Sequence, residues 1–403
     1  MPVVGPIRRL VKLSRRCFLG TVPGLVLIPS FNDPPVQPGR WTTTAAPRVP
    51  VAAATPTTAR HAMTLIGGFT DRLEATASVQ VRDPRRGWLP VGTSLLEPRA
   101  ESVVIPLDED RLLVLGGWSG KLPREKQPSR TAEICEPWRP DRRRQTTPPF
   151  GEPSRSLEGI AATRIANGQV LAMLDDQVAI FDPNQESWTS EACLGSKRHG
   201  ARLLALGAGD REDLVDAVLV VGGHQAGQPS IEVVEVPKNG LPKARSWSAD
   251  PLPVVQDVAI ARSNAGKVIV AGGLIGKRST PLTWELDLEE ETVKPGPLLP
   301  DDDGVTGARL IPRGSRLLLL GGESRTGNGP RPARGMVMHP ESNRIILLPK
   351  APHPAVRSAV TVDSKGYLVT GGYRFDASAP RGSRTVVLAT ADLLTIPSFA
   401  IAD

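Results

Sequence analysis

The residues able to do chemistry are few and scattered. Five histidines, His61, His199, His224, His339 and His353, are spread over a 403-residue chain. None forms the H-E-x-x-H pattern that would turn two imidazoles toward one zinc ion. Cys17, Cys135 and Cys193 make no CxxC pair, so neither a zinc knuckle nor a disulfide framework is indicated. The acidic run Asp301-Asp302-Asp303-Gly304 lacks the alternating ligands and distal glutamate of a calcium loop and reads as a solvated turn. The formal charge of +7 invites a nucleic-acid reading. Most of that excess sits in Arg8, Arg9, Lys12, Arg15, Arg16 and Arg40, so the rest of the chain is close to neutral. With aromatics at 4%, the stacking platforms of a single-strand binder are also missing. Nucleic acid is therefore not expected as a partner, and no cofactor is expected.

A second basic concentration lies further along. The segments Trp118–Arg130, Leu274–Thr280, Glu323–Arg334 and Tyr373–Arg384 carry Lys121, Arg124, Lys126, Arg130, Lys277, Arg278, Arg325, Arg331, Arg334, Arg381 and Arg384. Gathered on one face, these cations would attract an anionic glycan or an acidic protein. Solubilising charge on loops accounts for the same residues.

The elements that would position these loops follow from a repeat. An apolar run ending in Gly-Gly recurs at Met63–Gly68, Leu112–Gly117, Val218–Gly223, Val268–Gly273, Leu317–Gly322 and Leu368–Gly372, with a period near fifty residues. One interval is doubled, and Gln169–Leu174 followed by Asp175-Asp176 fills it, giving seven units. Turn signals such as Asp83-Pro84 and Asp182-Pro183 follow, with a tryptophan opening the next run at Trp88 and Trp188. Four short strands per unit make one propeller blade. Gly (39) and Pro (40) are plentiful, as many turns require, and no run of about 18 apolar residues marks a membrane-spanning helix.

The Gly-Gly strand ends, Asp-Pro turns and following tryptophans resemble those of kelch-repeat proteins. The resemblance covers about residues 48–398 and implies an all-β, seven-bladed propeller with four antiparallel strands per blade. Galactose oxidase, a kelch propeller, builds a copper site from tyrosines, histidines and a crosslinked cysteine. Here only Tyr367 and Tyr373 are present, which argues against such a site. Other exported kelch propellers resemble sialic-acid mutarotases, which use charged residues at the ring centre. Arg99, Arg155, Arg198, Asp257, Arg357, His199 and His224 are the corresponding candidates, although arginines recurring before the inner strand also suit a structural role. Ring closure is open: Arg48–Thr55 could be the inner strand of the first blade and Thr385–Leu388 with Leu393–Pro397 the outer strands of the last, or one blade could be shared between the termini.

Ser14-Arg15-Arg16-Cys17-Phe18-Leu19-Gly20, followed by a weakly apolar run to Phe31, resembles a bacterial twin-arginine export signal. The resulting division is a leader over 1–31, a linker over 32–47, the propeller over 48–398 and a tail over 399–403. The expected protein is an exported monomer of the periplasm, cell surface or exterior. Its expected function is non-catalytic binding through the loop face, with a cofactor-free sugar-modifying enzyme of mutarotase or epimerase type as the alternative.

Overall fold

The computed structural model describes residues 39–89, 91–122, 125–139, 141–150, 157–247, 252–264, 266–300, 304–326, 329–363, 365–375 and 385–396. The twin-arginine-like leader lies outside these residues, as does the Asp301–Asp303 run. Among them the regular structure is all strand: seven antiparallel four-stranded blades, one with an added fifth strand at Gly329–Pro332, and three two-stranded hairpins. The first strands of the blades are Thr55–Ala59, Val103–Pro106, Ala161–Arg164, Arg202–Ala205, Ala259–Arg262, Thr306–Arg313 and Ala359–Asp363. They neighbour one another around a common axis. The expected seven-bladed propeller is observed.

Packing explains why one blade cannot stand alone. Seven apolar clusters each lock two successive blades together, and that between blades six and seven ends with Trp41 against Leu394 and Tyr367. The second strands are buried on both faces, as in Leu112–Leu115, which is why they read as continuous apolar runs rather than alternating ones.

The Gly-Gly pair is the seam between blades. The N–H of the second glycine donates to the next blade's entry carbonyl: Gly68 to Arg99 (2.9 Å), Gly223 to Val255 (2.7 Å), Gly273 to Val305 (2.7 Å) and Gly372 to Val51 (2.9 Å). Any Cβ on the first glycine at Gly67, Gly272 or Gly371 would collide with that same carbonyl oxygen. In blade three the register of Ala161 opposite Met173 puts Leu174 and Asp175 in the glycine places, rather than Asp175-Asp176. Only Asp175 of these adopts positive φ, at 53°.

Closure differs from the complete-blade reading. Arg40–Thr43 pairs antiparallel with Ala391–Thr395 and forms the outer strand of blade seven, so both ends of the ring share that blade. The linker expected over 32–47 thus contains a strand of the propeller. Trp41 Nε1 donates to Pro349 O at 2.9 Å, anchoring this strand. Blade one begins at Thr55, not Arg48, and Thr385–Val387 pairs with Tyr373–Phe375 in a small hairpin outside the blade sheets.

The recurring arginines fall into two registers. Arg99 and Arg198 precede their inner strands by the same offset and are almost wholly buried. Arg99 meets Glu133 at 3.0 Å, and Arg198 meets Glu232 at 2.5 Å. The two carboxylates accept the entry-loop N–H groups of Leu96 (2.7 Å) and Gly195 (2.6 Å). At the same positions blades three, five and six use apolar pairs, Leu157 with Ala179, Val255 with Trp284 and Val305 with Met336, each within one core cluster. Arg99 and Arg198 are therefore structural, whereas Arg357 lies two residues later in its unit and belongs to a different set. Arg155 lies outside the described residues.

Candidate functional site

Just before each inner strand the chain passes through one residue with left-handed backbone. In blade order these are Ala53 (φ 56°), Glu101 (55°), Gly159 (77°), Gly200 (70°), Asp257 (50°), Gly307 (66°) and Arg357 (52°). Hydrogen bonds run around this circle: Ala53 N to Arg357 O (2.9 Å), Glu101 N to Ala53 O (2.9 Å), Asp257 N to Gly200 O (2.8 Å) and Gly307 N to Asp257 O (3.4 Å). Three blades meet the conformation with glycine, which pays no steric penalty for it. Three others hold ionisable residues there, at about 1–2 kcal/mol each for an L side chain in this region, somewhat less for aspartate.

All seven positions surround or adjoin the mouth of an axial cavity of about 510 Å³, a size suited to a small molecule. Its walls carry Lys126, Arg202, Arg309, Arg325 and Arg357 against Glu101, Glu158, Asp257 and Glu323, with His199 beside them. Arg357 pairs with Glu101 across Ala53, and Arg325 pairs with Glu323. Lys126 Nζ lies 3.7 Å from Glu101 Oε2 and 3.7 Å from the centre of the Trp118 ring. Burial lowers the Lys126 ammonium pKa, with Glu158 opposing the shift. Arg202 Nη2 reaches Asp257 Oδ1 at 3.3 Å.

The glycines of the circle make room for neighbouring side chains. A Cβ on Gly159 would stand 2.7 Å from His199 Nδ1, and one on Gly200 would stand 3.4 Å from Asp257 Oδ1. His199 itself is exposed to the cavity. An imidazole, four carboxylates and several guanidinium groups thus face one cavity. Such a set can hold an anionic or hydroxylated molecule and move protons on it.

The loop cations expected from sequence do not form one surface. Lys126 and Arg325 turn into the axial cavity. Lys121 pairs with Glu74 at 3.0 Å, and Arg334 donates to Leu348 O at 2.9 Å. Arg130, Lys277, Arg278 and Arg331 are exposed on separate loops or hairpins, while Arg124, Arg381 and Arg384 lie outside the described residues. Of the axial candidates, His199, Asp257 and Arg357 line the cavity, and His224 is buried and does not line it. Glu101, Glu158, Arg202, Arg309 and Glu323 were missed. Of these only Glu101 had a sequence signal, its alignment, with the candidates Asp257 and Arg357, against Gly159, Gly200 and Gly307.

No protein family matches this sequence, and neither does any curated protein. Among solved structures, the chain is similar to a fungal alcohol oxidase with catalytic diversity among the AA5 family, in complex with copper, at 15% identity and a TM-score of 0.61. The match covers 90% of this chain and 77% of that one. At this identity the likeness carries the propeller fold.

It also corrects the expectation of a non-catalytic scaffold. That solved neighbour is an enzyme, and among the described residues the loop cations divide between the axial cavity, local surface contacts and separate exposed loops. Copper itself does not fit the residues present. Among the described residues no three of histidine, cysteine, aspartate and glutamate come together as a metal set. Tyr367 is buried, with its hydroxyl 3.2 Å from Arg313 Nη1, Cys135 is buried and Cys193 is exposed.

Proposed function

We propose that this protein is an enzyme whose active site is the axial cavity, and that it acts by proton transfer on a small, hydroxylated substrate of the sugar or sugar-acid class. One observation carries the reading: Glu101, Asp257 and Arg357 occupy left-handed positions that three sibling blades fill with glycine. Backbone strain borne by ionisable residues at a cavity mouth is the pattern of a working site rather than of a scaffold. In this reading His199 carries the proton, Asp257 holds the substrate hydroxyl or the complementary proton, and Arg357 with Glu101 orients the ring. The Gly-Gly seams and Asp-Pro turns support a kelch-type repeat, and the Ser14–Leu19 motif supports export of the folded chain.

The test is turnover by the full chain of aldoses, uronic acids and aldonolactones, followed by proton NMR. Accelerated anomer exchange, isomerisation or lactone opening is expected. His199→Ala or Asp257→Asn should lower the rate about 100-fold or more, as loss of a general acid or base does. Absence of turnover throughout the panel, or turnover indifferent to both substitutions, contradicts the reading. Oxygen uptake with simple alcohols after copper loading would replace it with oxidase chemistry.

A further inference from the structure

Resting on this reading, the cavity wall identifies what part of the substrate is recognised, and by which residue. In each blade, the residue paired with the one just before the Gly-Gly position lies two places beyond the left-handed circle. These residues are Thr55, Val103, Ala161, Arg202, Ala259, Arg309 and Ala359. Five are neutral. Arg202 has its carboxylate in Asp257. Arg309 has no acidic partner among the described residues.

The only polar contact of the Arg309 side chain is from Nη1 to the Val360 carbonyl at 2.8 Å. Arg309 lines the axial cavity and is exposed there, and partial desolvation pushes its pKa down. A guanidinium stays charged under such a shift. Its charge thus faces the cavity with no protein carboxylate beside it among the described residues, and four of its donors stay free for a ligand. Glu323, on the same cavity wall, is by contrast already paired with Arg325 and lies 3.8 Å from Arg357 Nε.

We infer that the axial cavity binds a polyhydroxylated molecule bearing one anionic group, a carboxylate or phosphate ester, with Arg309 anchoring the anion. The planar fork of the guanidinium suits either oxyanion. A neutral sugar of the same ring size would leave Arg309 unpaired and bind more weakly.

The experiment is calorimetric titration of the full chain with D-glucuronate, D-glucose 6-phosphate and D-glucose. Binding of one or both anions at least tenfold tighter than glucose is expected, and which one binds separates a carboxylate from a phosphate substrate. Arg309→Gln should remove at least tenfold of that preference while leaving glucose binding unchanged, the scale of one lost hydrogen bond to a charged group. Arg309→Lys keeps the charge without the fork and should restore part of the affinity, which also controls for folding. Equal affinity for glucose and both anions, no anion binding, or a preference that survives Arg309→Gln overturns the inference. Anion binding that depends on Arg309 with no turnover of any panel substrate would leave this site standing and sink the enzymatic reading.

Discussion

Replacing the buried ion pair of blade four by the apolar pair of blade six tests the packing logic of the ring. Arg198 Nε and Nη2 meet Glu232 Oε2 at 2.9 and 2.5 Å, and its other donors reach the carbonyls of Gly222, Pro229 and Ser230. Desolvation lowers the Arg198 pKa and Glu232 opposes the shift, the opposition of burial and attraction expected of a buried ion pair. Val305 and Met336 fill the same two places in blade six at similar combined volume. Glu232→Met alone strands a buried guanidinium and should cost about 3–5 kcal/mol, and Arg198→Val alone strands a buried carboxylate at comparable cost. The double substitution removes both charges. It leaves the Gly195 N–H without its acceptor, about 1–2 kcal/mol, while the Ser196 hydroxyl and the three carbonyls each lose one partner. At about 2.1 cal/mol/K per residue, a domain of roughly 350 residues loses about 1 °C of Tm for each 0.7 kcal/mol. Each single variant should then melt about 4–7 °C lower and the double only about 2 °C lower. Calorimetric melting of the four proteins decides. A double variant that falls by the sum of the singles refutes the claim that the two solutions are interchangeable.

Three further outcomes follow from the circle, the closure and the core. Glu101→Gly should be more stable than Glu101→Ala by about 1 kcal/mol, because only glycine relieves the left-handed backbone, while both lose turnover; denaturant midpoints and rates check this. Deleting the chain through Thr43 strips the outer strand from Ala391–Thr395 and exposes a sheet edge; a lower Tm and concentration-dependent light scattering are expected, and an unchanged melt would contradict the shared-blade closure. Burial pushes the Cys135 thiol up to about 12. Iodoacetamide at pH 8 should therefore alkylate the exposed Cys193 and spare Cys135 until the protein unfolds, as peptide mapping would reveal.

The architecture was legible because Gly-Gly marks a steric necessity, the close approach of the next blade's carbonyl, and a necessity repeats. Closure was not, since Arg-Trp-Thr-Thr is a short outer strand whose partner lies at the opposite end of the sequence. A four-residue polar segment carries no pattern strong enough to announce such pairing. The basic loops drew attention by charge density, but charge alone does not say which side chains turn inward. Lys126 and Arg325 do, while Lys121 is spent on Glu74. Arg309 escaped notice because it sits within a strand, in Thr-Gly-Ala-Arg-Leu, where an arginine reads as an ordinary solvated position. Asp257 and Arg357 were candidates from sequence, and Glu101 was in principle visible beside them. Aligning the entry residues of all seven units would have set Glu101, Asp257 and Arg357 against glycines, and a residue that defies a conformational rule kept by its siblings is a signal of use.

The most direct measurement is the rate of solvent-coupled proton exchange on a uronic acid at the axial cavity, by NMR in D2O, for the wild type beside His199→Ala. The account predicts exchange well above the uncatalysed rate, saturating with substrate, and a loss of about 100-fold or more in the variant with the fold intact by circular dichroism. Exchange no faster than in buffer, or equal in the two proteins, would contradict it.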